Sequence, residues 1–127
     1  MGYLIVFLGG GVGAALRHGI NLGTARFLSN GFPYATFFIN VTGSFVMGLI
    51  AAWFAFKGDA SQHWRLFLTT GILGGFTTFS TFSLDAALLI ERNSYGAAAG
   101  YLVGSVAAGL SALFFGLAVF RSAGHLP

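Results

Sequence analysis

One stretch of this chain has a composition suited to ion binding inside a membrane. Residues 71–83 read GILGGFTTFSTFS and contain three glycines, three threonines and two serines within a hydrophobic run. Every backbone N–H and C=O in hydrocarbon needs an internal partner, so a segment that weakens a helix at that depth lines a cavity, binds an ion or packs against protein. The residue types therefore point to an ion site made of hydroxyls and backbone groups.

Phenylalanine recurs at every third position of this stretch, as Phe76, Phe79 and Phe82. On a regular helix such rings usually fill apolar space. A phenyl ring nevertheless has a negative face and a positive edge, so rings presented edge-on could stabilise a small anion. Conduction requires binding weak enough for the ion to leave. Carbonyl groups freed at a helix break could separately coordinate a cation. Neighbouring hydroxyls and glycines favour an ion site over apolar filling, and they are Thr77, Thr78, Ser80, Thr81, Gly71, Gly74 and Gly75.

Two other hydrophobic runs carry polar side chains at helical spacing. Asn40 has Thr36 one turn before it and Ser44 one turn after it, and Tyr101 is followed four residues later by Ser105. That spacing places each set along one helix face. Such a stripe serves either as interhelical hydrogen bonding or as the wall of a pathway, and the residues alone leave both readings open.

Two charged residues fall inside hydrophobic runs, where charge is costly. Arg17 either extends its side chain to the interface or acts as a vestibule cation that concentrates anions. Asp85 could pair with a cation, face a vestibule or mark the point where its helix leaves the hydrocarbon and contacts water. Neither choice is settled by the residue alone.

The elements that must position these residues are membrane helices. Of 127 residues, 56% are hydrophobic and 7% are charged, whereas a soluble domain is about a quarter charged. A membrane helix needs about 20 mostly apolar residues. The charged positions divide the chain into spans at residues 3–25, 34–56, 66–90 and 95–120, with a polar turn at 57–65. We expect one compact all-α domain over residues 1–127, whose N-terminal segment, lacking the cationic region of a cleavable signal, is a retained anchor.

Several function classes are excluded by composition. Cysteine is absent, so no disulfide framework or thiolate metal site is possible. Six basic residues are too few and too scattered for a nucleic-acid surface. The run GGGVGA at 9–14 resembles the glycine-rich motif of dinucleotide-binding folds. Such a fold needs an acidic residue about 20 positions further on, whereas the first acidic residue here is Asp59. Gly9 and Gly13 instead fit close helix packing.

The distribution of basic residues gives almost no preferred orientation. Four spans place both termini on one side, and the basic residues then divide three against three, or three against two if Arg17 is excluded. A fixed orientation usually shows a clear excess of Lys and Arg on the cytoplasmic side. Either the chain inserts both ways, which would permit an antiparallel homodimer, or six charges are too few to decide. The residues counted are Lys57, Arg65 and Arg121 on the side of the termini, and Arg26, Arg92 and Arg17 on the other.

These motifs resemble a known family. The stretch at 71–83, preceded by FINVTG at 38–43, is similar to the signature of the Fluc/CrcB fluoride channels, and the length, the four spans and the first helix with Arg17 also fit. The resemblance covers nearly the whole chain. It implies a passive, fluoride-selective channel in a prokaryotic plasma membrane that is not an enzyme. It also implies a broken third helix and an antiparallel, dual-topology homodimer with two pores, surrounded by lipid.

The resemblance also implies roles for particular residues. Phe79 and Phe82 look like the rings whose edges face fluoride, and Asn40 looks like the pore asparagine. Beyond Ser105 the stripe continues as Gly109, which leaves the far end of the track open. The remaining implied members of the anion pathway are Ser80, Thr81, Tyr101 and Ser105 as a polar track, and Arg17 near the vestibule.

A structural sodium ion is the one cofactor that the resemblance implies. Gly74 and Thr77 match the positions whose backbone carbonyls, from both subunits, hold this ion at the dimer centre. Fixed positive charge there would offset part of the cost of bringing an anion into low dielectric.

Two rival classes remain at this stage. A small four-helix proton-coupled drug antiporter can also insert both ways, but it uses a membrane-buried carboxylate, generally in its first span. This chain has no acidic residue before Asp59. The other rival is a non-transporting scaffold subunit, in which the polar stripes only hold helices together.

Overall fold

The computed structural model describes residues 1–28, 31–57 and 62–124. It contains four helical stretches that are long and apolar enough to cross a membrane, which confirms the all-α prediction with four spans. The third span is built from several pieces. The helices are α1 (Gly2–Phe27), α2 (Tyr34–Lys57), α3 (Gln62–Arg65), a π-helical segment (Leu66–Leu73), α4 (Gly74–Phe76), α5 (Phe79–Glu91) and α6 (Tyr95–Gly124).

The predicted polar turn at 57–65 is wrong in its extent. Lys57 is the last residue of α2, and Gln62–Arg65 already form the first turn of the third span. Helix backbone can continue while polar side chains remain in the interface, because side chains such as arginine extend their charged ends toward water. The middle of the predicted turn, residues 58–61, lies outside the described residues.

Glycines allow α1 to approach the third span at backbone distance. A Cβ added to Gly9 would lie 2.8 Å from the carbonyl oxygen of Phe67, and one added to Gly71 would lie 3.0 Å from the Cα of Gly9. A Cβ on Gly13 would overlap the carbonyl group of Ile72. These contacts confirm that Gly9 and Gly13 serve close helix packing.

A second glycine contact joins α2 to α6, which form the most extensive helix pair in the described part of the chain. A Cβ on Gly48 would overlap the carbonyl oxygen of Leu113, and a Cβ on Gly116 would overlap that of Phe45. The two backbones therefore meet directly near the end of the bundle that holds the termini.

A buried cluster connects α5 to α6 on the other side of the break. Its members are Phe82, Ala86, Leu89, Ala98 and Tyr101. The short turn between the helices depends on Asn93, whose φ of 61° lies in the left-handed region that asparagine tolerates better than most residues. The turn folds α6 back along α5 and brings the rings of Phe82 and Tyr101 to 5.0 Å between centroids.

The contact between α2 and α6 gives a stability prediction. Gly116→Ala should destabilise the protein by about 1–3 kcal/mol, because the added methyl group forces two backbones apart. Thermal unfolding in detergent measures this effect. Gly96→Ala is the matched control in the same helix, since nothing lies within 4 Å of its Cβ position. Equal melting temperatures for the two variants would contradict the packing argument.

Candidate functional site

The third span is interrupted at two threonines. Thr77 has φ −81° and ψ 159°, and Thr78 has φ −154° and ψ 120°, so both are extended between α4 and α5. This confirms the predicted break. It also creates backbone groups that no longer have helical partners, and these need other partners at this depth.

The side-chain amide of Asn40 bonds to the backbone at this break. Its Oδ1 accepts a hydrogen bond from the Thr78 N–H at 2.9 Å, and its Nδ2 donates one to the Thr78 carbonyl oxygen at 3.1 Å. Both backbone groups of one extended residue are thus satisfied by one side chain from α2. We call this pair of hydrogen bonds the Asn40 clamp. An amide carries two N–H donors, so one donor of Nδ2 is not used by the clamp.

The break deprives carbonyl oxygens of the preceding turn, among them those of Gly74 and Thr77, of their usual donors. In an uninterrupted helix, the Thr78 amide would bond to the carbonyl of Gly74 and the Thr81 amide to that of Thr77. Here the Thr78 amide bonds to Asn40, and the Thr81 amide bonds to the Thr78 hydroxyl at 3.2 Å. The carbonyls of Gly74 and Thr77 therefore lack their helical donors. These are the two carbonyls assigned above to a cation.

Thr78 also begins the second half of the span. Its Oγ1 is the N-cap acceptor of α5, and it lies 3.3 Å from the Ser80 hydroxyl. The first N–H groups of a helix and its dipole make this end positive. The start of α5 thus places partial positive charge beside Phe79.

A cavity of about 360 Å³ opens at the break. Its wall combines residues of α2, the third span and α6. It brings together six of the residues to which the family resemblance gives a role in the anion pathway or the cation site. These are Asn40, Gly74, Thr77, Phe79, Phe82 and Ser105. The Phe79 and Phe82 ring centroids are 5.7 Å apart, with planes tilted by 48°. The Ser105 hydroxyl oxygen is buried with no hydrogen-bond partner in the described structure.

Four other predicted pathway residues lie outside the cavity wall. Ser80 is exposed and Thr81 is half-buried, both in the first turn of α5. Tyr101 is fully buried, at 0% exposure, and its hydroxyl donates to Asp85 Oδ2 at 3.1 Å. Arg17 is half-buried in α1. Their roles in a pathway stay predictions.

The Tyr101 contact gives Asp85 a structural partner. Asp85 also lines a separate cavity of about 350 Å³ with Arg92, at the end of the bundle away from the termini. Thr36, one turn before Asn40, is buried in α2. Polar groups thus continue beyond the central cavity toward that end of the bundle.

Two features of the site were not identified from the sequence. Thr78 is both the target of the Asn40 clamp and the N-cap of α5, and a threonine before a helical run could have indicated the cap. Gly43 receives the methyl group of Thr77, since a Cβ there would overlap Thr77 Cγ2. Nothing local in the sequence indicates that contact.

The arrangement can hold two kinds of ion without a charged side chain at its centre. Hydroxyl and amide donors and ring edges suit a small anion, whereas the two carbonyls suit a hard cation. The weak, multi-site character of these groups favours passage over tight binding.

The sequence matches a known family over most of its length. Residues 4–117 match the family model described as CrcB-like protein, Camphor Resistance. A Rhodopseudomonas palustris protein named fluoride-specific ion channel FluC is 66% identical over 122 residues, covering 96% of this chain and 98% of its own length. A protein of the same name from Methylobacterium nodulans is 60% identical over 121 residues, covering 95% and 97%. One from Granulibacter bethesdensis is 52% identical over 122 residues, covering 96% of each.

The Asn40 clamp gives a prediction about backbone exchange. Asn40→Ala should speed hydrogen exchange of the Thr78 amide by about tenfold or more and lower the melting temperature, because an unpaired buried group costs about 1–3 kcal/mol. Exchange measured by mass spectrometry in detergent tests this. Ser44→Ala, one turn along the same cavity wall, is the control and should leave that amide unchanged. An unaltered Thr78 amide in Asn40→Ala would disprove the clamp.

Proposed function

The chain belongs to the CrcB-like family of fluoride-specific ion channels, and from this premise we propose that fluoride passes through the cavity at the break of the third span. It is a channel and not an enzyme, so transport follows the electrochemical gradient. One observation carries the assignment of the path. Asn40, Phe79, Phe82 and Ser105 come from three different spans and meet in one cavity. We place the channel in the plasma membrane of a prokaryote, where passive efflux would clear fluoride from the cell.

Fluoride must lose part of its hydration shell to enter this cavity, and burying an uncompensated ion is prohibitive. The unused N–H of Asn40, the Ser105 hydroxyl and the ring edges of Phe79 and Phe82 replace part of that shell. Each contact is weak, which lets the ion leave again. Ser80 and Thr81 at the positive end of α5, with Tyr101 beyond Phe82, extend the path, and Arg17 serves at a vestibule.

A second copy of the chain completes the site. Phe79 lines the cavity but is 77% exposed in the single chain, so one copy leaves its ring largely uncovered. An antiparallel homodimer would cover it and would fit the even division of basic residues between the two sides. Each dimer would then hold two pores, with rings from both subunits.

We also propose that the carbonyls of Gly74 and Thr77 hold a structural sodium ion at the dimer centre. Their fit to a cation is supported by the loss of their helical donors to Asn40 and to the Thr78 hydroxyl. Both residues line the cavity. When bound, the ion supplies fixed positive charge, which lowers the cost of bringing fluoride into low dielectric.

The antiporter alternative lacks support in the site. It requires a buried carboxylate that exchanges protons with the substrate. Among the described residues, the acidic side chains of the third span are Asp85 and Glu91, and Glu91 is its last residue. Asp85 bonds to Tyr101 away from the central cavity. The family assignment also favours the channel.

The ring edges give a flux prediction. Phe79→Ile and Phe82→Ile should each slow fluoride efflux about fivefold, because each ring contributes about 1 kcal/mol through its edge. A fluoride electrode outside liposomes loaded with fluoride measures the rate. Phe115→Ile, in α6 and away from the cavity wall, is the matched control. Unchanged fluoride flux in both cavity variants would show that the ring edges do not stabilise the passing ion.

The sodium site gives a prediction about stability. The protein should melt at a higher temperature in sodium chloride than in N-methylglucamine chloride, by the equivalent of about 2.7 kcal/mol at one hundred times the dissociation constant. Asn40→Ala should weaken this dependence, because without the clamp nothing holds Thr78 in the extended conformation that leaves the Gly74 and Thr77 carbonyls without helical donors. Equal melting in the two salts would rule out the cation.

A further inference from the structure

A second cavity adjoins the central one toward the end of the bundle that holds the termini. It has a volume of about 560 Å³ and lies between α2 and the first half of the third span. Met47 lines both cavities. Arg65, Thr69 and Thr70 lie along this second cavity, so it extends from the break to the first turn of the span. We call it the Arg65 groove.

Arg65 is held at the outer end of this groove. Its guanidinium carbon lies 5.1 Å from the centroid of the Phe54 ring, and Phe54 also lines the groove. An aromatic ring attracts a guanidinium through its negative face and leaves the charge in place. Arginine stays charged at every physiological pH. The groove therefore has a positioned positive charge at its mouth.

The interior of the groove is mostly apolar and carries no charged side chain. It is lined by Met47, Ala51, Phe54 and Ala55 beside two threonines. Thr69 donates its hydroxyl to the Arg65 carbonyl oxygen at 2.6 Å, and Thr70, which is exposed, also lines the groove. The acidic residues within the described spans, Asp85 and Glu91, both belong to α5, beyond the break from Arg65. Among the described residues of the third span, the break therefore separates the acidic side chains from Arg65.

We propose that Arg65 collects fluoride at the mouth of the groove and raises the rate at which it reaches the central cavity past Met47. This inference rests on the proposed channel function and adds to it the residue that captures the ion. A fixed cation in a cleft with low-dielectric walls raises the local concentration of anions and their association rate by about 10–10³-fold in favourable cases. Arg65 therefore controls the rate at which fluoride enters, whereas the ring edges and donors at the break control which ion passes.

The test is the dependence of flux on fluoride concentration in the reconstituted full chain. Arg65→Gln should lower flux about tenfold at low fluoride and low ionic strength, and the loss should fade as fluoride approaches saturation. Arg65→Lys should retain most of the wild-type flux. Added potassium gluconate should bring the wild type toward the Arg65→Gln rate, because salt shortens the Debye length from about 30 Å at 0.01 M to about 10 Å at 0.1 M.

Arg121→Gln is the matched control, since it removes one positive charge on the same side of the bundle but lies outside the groove wall. An equal loss in Arg121→Gln would overturn the proposal, as would a loss in Arg65→Gln that is the same at every fluoride concentration, or no loss. A wild type that moves no fluoride would contradict the channel function and this inference with it. If the wild type conducts fluoride and Arg65→Gln conducts it at the same rate, only the inference about Arg65 is contradicted.

A second pair of variants covers the case in which Arg65→Gln does not fold. Ala55 is exposed and lines the groove on α2. Ala55→Glu places a negative charge there, and Ala55→Gln has the same size without the charge. Flux at low fluoride should be several-fold lower for the glutamate variant than for the glutamine variant, and high salt should remove the difference. Equal flux for the two variants would count against the proposal.

Discussion

A helix broken inside a membrane exposes backbone groups that need new partners, and in this protein one amide side chain satisfies both groups of Thr78. Asn40 accepts from and donates to the backbone of Thr78 across 38 positions of sequence. Because the Thr78 amide is occupied, the Gly74 carbonyl loses its helical donor. Because Thr78 is extended, its hydroxyl can cap α5 and take the Thr81 amide in turn. The carbonyls that we propose to hold a cation lose their helical donors through these few hydrogen bonds.

The glycines make this geometry possible. Asn40 reaches Thr78 because α2 lies close to the break, and Gly43 lets it approach by leaving room for the Thr77 methyl group. On the other side, Gly9 and Gly13 bring α1 against the first half of the third span. The π-helical geometry of Leu66–Leu73 lies within this contact, and such segments are frequent at functional sites. These small residues thus determine how closely the helices approach, and so whether polar groups on them reach hydrogen-bond distance, although glycine has no functional side chain itself.

The spans and the break could be predicted from the sequence, because both depend on local composition. Hydrophobic runs divided by charges give four spans, and glycines beside threonines inside one run indicate a break. The partner of Asn40 could not be predicted in this way, since a polar stripe does not specify which distant residue it faces. The extension of the third span to Gln62 was missed because polarity was taken to end the helix. For Arg17 the sequence predicts its position in the first helix, which depends on nearby residues. It does not predict which distant residues surround its side chain.

We propose that one cavity passes fluoride and rejects larger halides. Hydroxyls, an amide donor and two ring edges around about 360 Å³ can replace hydration for a small ion, without a charged side chain that would trap it. The most direct measurement is simultaneous efflux of fluoride and chloride from liposomes loaded with both salts and containing the purified chain. We expect rapid release of fluoride while chloride is retained. Release of both at similar rates, or of neither, would contradict this proposal.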